Sequence, residues 1–444
     1  MLRWAVSTLP RVWEGLAHSR RQDRVLHGAA KALNLVAGAT MIPLVLGGQR
    51  AAGWADRALS RRARPPSLPE PVQARGDLDS LVAELQALPN RIRRSPSATM
   101  RKGLADLAMF ALAQKRQTVN LGYAYPRPFS YHYFEGADGE RVAATVATHE
   151  LPRPGLVVVH GLVTSRLFDY VREIAVRAYY DWGFNVAAID LRSFGLTEML
   201  TRAPSSAGWK EGVDIVCAGR YLRELGATSV GALGISLGAC SAMNAACTSG
   251  AEDYLDGGVL AVAGPADTRL ATAYIDRPVP RRHPFYGASK FFSAALTAKV
   301  RNLGWPSEVA SFGRLIELVV APHYGITADE LYERSSPENH IAQARVPVLA
   351  LHAEADEIVP VEHARILEQA AAGSDLVRVW ILPGGGHAAF DVIDRSWTYQ
   401  VYRTYFERLG RYERAPVAGA PRPSQRTTAP RSSVPATVDG APAA

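Results

Sequence analysis

Gly234-Ile235-Ser236-Leu237-Gly238 places a serine between two glycines, after an apolar run (VGALGIS) and before a helix of small residues (ACSAMNAAC). A strand, a sharp turn and a helix in that order predict a nucleophile elbow with the Ser236 hydroxyl raised above a sheet. A serine alone is a weak nucleophile and needs an adjacent base. His387, in LPGGGHAAF after the last apolar run, is the candidate, and its glycines predict a mobile loop able to swing an imidazole inward. His352, His340 and His363 are rivals; His352 lies inside a predicted strand and reads as structural, while the others fall at the edge of an insertion and on a helix.

An acid must then hold the imidazole tautomer and stabilise the imidazolium. Asp356, in LHAEADEIVP just after the penultimate run, gives the order Ser236, Asp356, His387. Asp267, after the preceding run in AVAGPAD, is an alternative, and Glu354 and Glu357 flank the favoured position. The developing oxyanion needs backbone N–H donors about 3 Å away. Leu237, directly after the serine, is one candidate; Leu162, in His160-Gly161-Leu162 after LVVVH, is the other. His160 itself reads as a group that orients this loop.

These groups require a rigid frame. From Ser130, SYHYFEGADGERVAATVATHE reads as a hairpin about a Gly-Ala-Asp-Gly turn. Apolar strands follow at 156–160, 185–190, 230–236, 257–264, 346–353 and 377–383, with helices near 169–182, 207–225, 237–247, 361–372 and 388–410. Continuous apolar strands separated by helices predict a mostly parallel, doubly wound α/β sheet covered on both faces. Residues 265–345 interrupt this rhythm with an aromatic-rich stretch, and predict a helical cap over the strands' carboxyl ends, where such sheets bind ligands.

Together these parts resemble the α/β-hydrolase fold over residues 130–412. More narrowly, VVVHGLVTS, SAGWKEGVDIVCAGRYLRE, GISLGA and VVAPHYGITADELYERSSP leading into VPVLALHAEAD resemble the YheT-like hydrolase branch. Two features depart from it: a Pro-rich entry to the first strand is not recognisable in residues 76–130, and the third core loop reads DLRSFGLTE in place of R-G-x-G-x-S. The resemblance implies a serine esterase or lipase acting on small-molecule or lipid-like esters, with no cofactor. It also keeps Asp267 in view, because some relatives place the acid there. Acyl transfer on the same triad is the runner-up, and a non-catalytic binding protein the third reading.

The chain's 444 residues, 48% hydrophobic and 21% charged, leave room for a large core and exclude a chain built on disorder or disulfides. Cys217, Cys240 and Cys247 have neither framework nor metal-finger spacing, and suit a reducing, cytoplasmic setting. Residues 1–75 hold 12 Lys and Arg against 4 Asp and Glu, which is the whole net charge of +8; the rest carries 38 of each sign. A general nucleic-acid-binding surface is therefore not expected. The basic segment reads as a helical extension around Ala32 to Gly48, which at 17 residues with Asn34 and Pro43 is short for a membrane span. It either packs on the core or, with its flanking arginines, rests peripherally on an anionic lipid surface. A Pro-rich break precedes a helical lead-in at 76–129, and residues 413–444 read as a disordered tail. Oligomeric state is not legible.

Overall fold

The computed structural model describes residues 77–92 and 125–409, apart from 282 and 284. The basic extension, most of the lead-in and the Pro-rich tail lie outside the described residues.

The first described element is α1 (Leu78–Gln86), opened by Asp77, whose carboxylate accepts from the Ser80 N–H at 2.8 Å. The hairpin follows as β1 (Ser130–Glu135) and β2 (Arg141–Ala147), antiparallel with Glu135 opposite Arg141. The rest of the frame alternates: β3 (Arg153–Val159), α2 (Asp169–Tyr180), β4 (Asn185–Ile189), α3 (Trp209–Glu224), β5 (Ala227–Ile235), α4 (Leu237–Cys247) and β6 (Val259–Val262). After β6 come α5 (Thr268–Asp276), α6 (Tyr286–Leu303), a helical run over 312–323 and α7 (Ala328–Ser335). The chain then returns through β7 (Val348–Ala353), α8 (Glu362–Ala370), β8 (Val377–Leu382) and α9 (Arg395–Leu409).

The eight strands form one sheet in the order β1-β2-β4-β3-β5-β6-β7-β8. Strands β3 to β8 run parallel to one another, and β2 is antiparallel to both β1 and β4. Alternate residues of each inner strand enter different cores. Leu156 and Val158 face α1, α2 and α9, while Val157 and Val159 face α3, α4 and α8. Both sets are fully buried, so each such side chain contributes about 1.5–3 kcal/mol, and neither face can turn to water. A doubly covered parallel sheet follows, and all its crossovers aim the same ends of β3 to β8 to one edge.

Most element ends shift by one to three residues from the sequence reading, and two elements differ for a visible reason. The strand expected over 257–264 is limited to Val259–Val262, because Gly258 and Ala263 take left-handed φ values of 79° and 55°. The helix expected over 388–410 is broken. A short turn at Phe390–Ile393 ends at Asp394, whose carboxylate then accepts from Trp397 N and from Arg91 N, opening α9 afresh. No helix among the described residues is long and apolar enough to cross a membrane.

Candidate active site

Ser236 stands between β5 and α4 with φ 59° and ψ −118°, a conformation outside the usual range for a residue with a Cβ. Its own N–H donates to Val262 O at 2.9 Å, and its carbonyl already accepts from Ala239 and Cys240. The turn is tight enough to dictate both flanking glycines. A Cβ on Gly234 would lie 2.0 Å from Gly238 O, and one on Gly238 would lie 2.5 Å from His160 O. Small residues serve the helix behind as well: a Cβ on Gly212 of α3 would meet Ala245 N at 3.0 Å, so α3 and α4 pack backbone to backbone.

His387 follows β8, three strands from β5 and about 14 Å away at the usual inter-strand spacing. The Pro383–Ala389 loop carries it, and two of its glycines answer to local geometry. Gly385 and Gly386 hold φ values of 109° and 52°, and a Cβ on Gly385 would lie 2.1 Å from the Phe390 ring. Asp356, after β7, meets the imidazole from one strand nearer. His387 Nδ1 lies 2.9 Å from Asp356 Oδ2 and 3.1 Å from Oδ1. A carboxylate only accepts, so Nδ1 carries the proton here and Nε2 is the basic nitrogen.

Asp356 is sealed from solvent, while the His387 side chain keeps 14% exposure. Burial pushes the Asp356 carboxyl up, but His387, His352 and the Val359 N–H together outweigh it and hold it below its ordinary value. Ile358 N and Val359 N each donate to Oδ1 at 2.9 Å, which fixes the carboxylate in its turn.

The sequence alternatives are placed elsewhere. Asp267 is the N-cap of α5, accepting from Leu270 N at 2.9 Å. His340 Nε2 is 2.6 Å from Asn244 Oδ1. His363 is fully buried, with Nδ1 accepting from Asp267 N at 3.4 Å. Glu354 is exposed, and Glu357 accepts the Tyr274 hydroxyl on its backbone carbonyl at 3.1 Å.

Opposite the elbow, the loop after β3 is held by its own polar groups. His160 Nδ1 donates to Gly161 O at 2.7 Å, and Nε2 accepts from Leu191 N at 2.9 Å. Burial, with lesser help from Arg166 and Lys299, pulls this imidazole down to about 3, so it is neutral and both nitrogens are committed to backbone. Gly161 N donates to Tyr170 Oη at 2.9 Å, and Thr164 Oγ1 donates to Gly161 O at 2.9 Å. A Cβ on Gly161 would sit 3.1 Å from Ser236 Cβ, so this loop passes directly against the elbow. Among the described residues, neither Leu162 N nor Leu237 N has an intramolecular acceptor.

Apolar residues surround these groups. Leu162 and Val163 pack with Phe285 and Phe292 of the segment between β6 and β7, with Tyr274, and with Ile358 beside the acid. The same segment reaches the opposite loop through Lys299 of α6, 8% exposed, which donates to Ser193 O and pairs with Glu198 at 2.5 Å.

Sequence reasoning missed the polar frame under the loop after β4. Arg192 is fully buried; it donates to Asp214 at 2.8 and 3.0 Å and to Ala137 O at 2.7 Å. Left-handed non-glycine residues also gather at this edge. Val163, Ser193, Ser236, Ala263 and Ala388 follow β3, β4, β5, β6 and β8, with φ between 50° and 65°.

Residues 156–395, more than half of the chain, match the Alpha/beta hydrolase family, and the chain belongs to it. A monoacylglycerol lipase of Saccharomyces cerevisiae is 24% identical over 279 residues, spanning 58% of this chain; the match covers 60% of that relative's length. Among solved structures, a Pyrococcus furiosus esterase aligns with TM-score 0.45 and 15% identity, over 63% of this chain and 92% of that one. A puromycin-hydrolysing peptidase of Mycobacterium tuberculosis aligns with TM-score 0.45 and 20% identity, over 66% of this chain and 41% of that one.

Proposed function

We propose that the protein is a serine-dependent carboxylic-ester hydrolase working through an acyl-enzyme on Ser236, His387 and Asp356. The observation that carries this reading is the His387–Asp356 pairing, with both side chains on the edge that bears the Ser236 elbow. In the first half-reaction Ser236 Oγ attacks the ester carbon while His387 Nε2 takes its proton. The tetrahedral oxyanion rests on the Leu162 and Leu237 N–H groups, and the positive end of α4 adds to that field. His387 then returns the proton to the departing alkoxide. Water repeats the sequence on the acyl-enzyme, and Asp356 stabilises the imidazolium each time without itself becoming protonated.

The apolar surround of Leu162, Val163, Phe285, Phe292 and Ile358 favours an acyl group with little polarity, in keeping with the lipase relative and with the YheT-like resemblance. Hydrolysis of p-nitrophenyl esters from acetate to palmitate tests this: activity that rises with chain length supports a lipid-like substrate. A fluorophosphonate probe tests the nucleophile. Absence of labelling at Ser236 in folded protein would remove the serine-hydrolase reading. For the arginine-flanked segment within residues 1–75 we propose peripheral contact with an anionic membrane on the cytoplasmic side, the alternative being packing on the core. Co-sedimentation of the full chain with anionic vesicles, at low and high salt, checks this.

A further inference from the structure

The strand β7 is apolar except at one position. Val348, Leu349, Ala350, Leu351 and Ala353 are buried beside His352, which is only 2% exposed. A polar ring in such a place loses its hydration, so a lasting hydrogen bond must compensate. His352 Nε2 has one: it lies 2.9 Å from Val359 O. A carbonyl oxygen only accepts, which makes Nε2 the protonated nitrogen of this ring.

The partner matters more than the bond itself. Val359 closes the turn whose amides hold the candidate acid: Val359 N and Ile358 N both donate to Asp356 Oδ1 at 2.9 Å. The same residue is therefore pinned on both sides, its N–H by Asp356 and its C=O by His352. His352 Nε2 is also 3.8 Å from Asp356 Oδ2, too far for a hydrogen bond. Across that gap only charge acts directly, and a hydrogen-bonded link to the carboxylate must pass through the turn. Oδ2, the oxygen not used by the two amides, is the nearer to His387 Nδ1, at 2.9 Å against 3.1 Å for Oδ1. Rotation of the carboxylate about its own bond would trade one set of contacts for the other.

We infer that His352 is a positioning residue: by holding Val359 O from the strand, it locks the Asp356–Val359 turn and aims Asp356 Oδ2 at His387. The inference rests on the triad reading above. Its mechanical content is that the acid is oriented by a neutral imidazole through a shared backbone group. Misplacement of a catalytic group by about 1 Å can cost about 10²-fold in rate.

The test compares His352→Phe, which fills the space without a donor, with His352→Gln, whose amide N–H reaches the place of Nε2. Positioning predicts that His352→Phe lowers kcat by about 10²-fold at unchanged KM. His352→Gln should restore most of the rate, with both variants still unfolding in a single cooperative urea transition. Equal kcat losses in the two variants would overturn the inference, because a lost donor would then not be the cause. So would wild-type kcat in His352→Phe, measured beside an Asp356→Asn variant that has lost activity. If Asp356→Asn itself retains full activity, the triad reading fails first and takes this inference with it. Should His352→Phe not fold, imidazole ¹⁵N spectra of the wild-type protein decide: a neutral ring protonated at Nε2 supports the assignment, and the Nδ1–H tautomer overturns it.

Discussion

Arg192–Asp214 and Asp356–His387 are both pairs of a buried acid with a basic side chain, built on opposite sides of β5. In the first, both side chains are closed off, at 0% and 2% exposure, and the guanidinium spends further N–H groups on Ala137 O and toward the Tyr324 hydroxyl. Burial pulls Arg192 down, but the hydrogen bonds and charge of Asp214 overrule it and raise it above its ordinary value. In the second, only the acid is sealed, and the ring keeps 14% of its surface. Charge pairing alone thus does not mark a site. What separates the two is a titratable group brought to the boundary where a ligand can reach it, with its acid fixed behind it.

That contrast breaks most sharply at the nucleophile. Ser236→Ala should lower ester hydrolysis by roughly 10⁶-fold, since serine triads act as a unit, and should leave the urea unfolding curve in place. Wild-type-like turnover in the variant removes Ser236 from the chemistry. Next, Asp356→Asn should lower kcat by roughly 10⁴-fold through loss of the correct tautomer. Asp267→Asn, by contrast, should leave kcat unchanged, because that side chain caps α5. The reverse ranking, read from steady-state kinetics, would move the acid to the loop after β6.

The closed pair should answer in the opposite currency. Arg192→Met leaves Asp214 buried without its partner and should cost about 3–5 kcal/mol in urea unfolding. If the loss is under 1 kcal/mol, the enclosure is not what makes this pair structural. The smallest effect is on pH. His160 and His363 are held down to about 3 and about 4 by burial. Both folded values lie below the ordinary histidine value, so the unfolded chain takes up protons first as the pH falls. Their contribution is intact above about 6.5, and between pH 6.5 and 5 each should cost about 2 kcal/mol of stability. Urea midpoints measured from pH 7.5 to 5 check the slope; a flat profile would mean that these rings are charged in the fold.

The sequence disclosed the parts of this arrangement that rest on local pattern. Gly234 to Gly238 could be read because the turn itself demands small residues. Asp356 and His387 could be read because each directly follows an apolar run, and a parallel sheet delivers such positions to one edge. The partnership of Arg192 with Asp214 was not legible, since the two are 22 residues apart and Asp214 looks like one more charge on a helix. Lys299 and Glu198, separated by 101 residues, are invisible for the same reason. The break at Asp394 was missed because the apolar period continues across it, and only the capping bonds reveal the restart.

The five left-handed residues at the sheet's carboxyl edge set a limit on improvement. At Val163, Ser193, Ala263 and Ala388 glycine would adopt the observed backbone without its strain of about 1–3 kcal/mol. The same exchange would delete a buried side chain and widen the freedom of the unfolded chain, and at Ser193 it would remove the hydroxyl that accepts from Ser205 N, so the relief is cancelled where it arises. A selection for heat resistance would therefore pass these positions over. The rim around the elbow keeps its unusual backbone because the side chains that bear the strain, Val163 against Phe285 and Phe292 among them, also hold it in place.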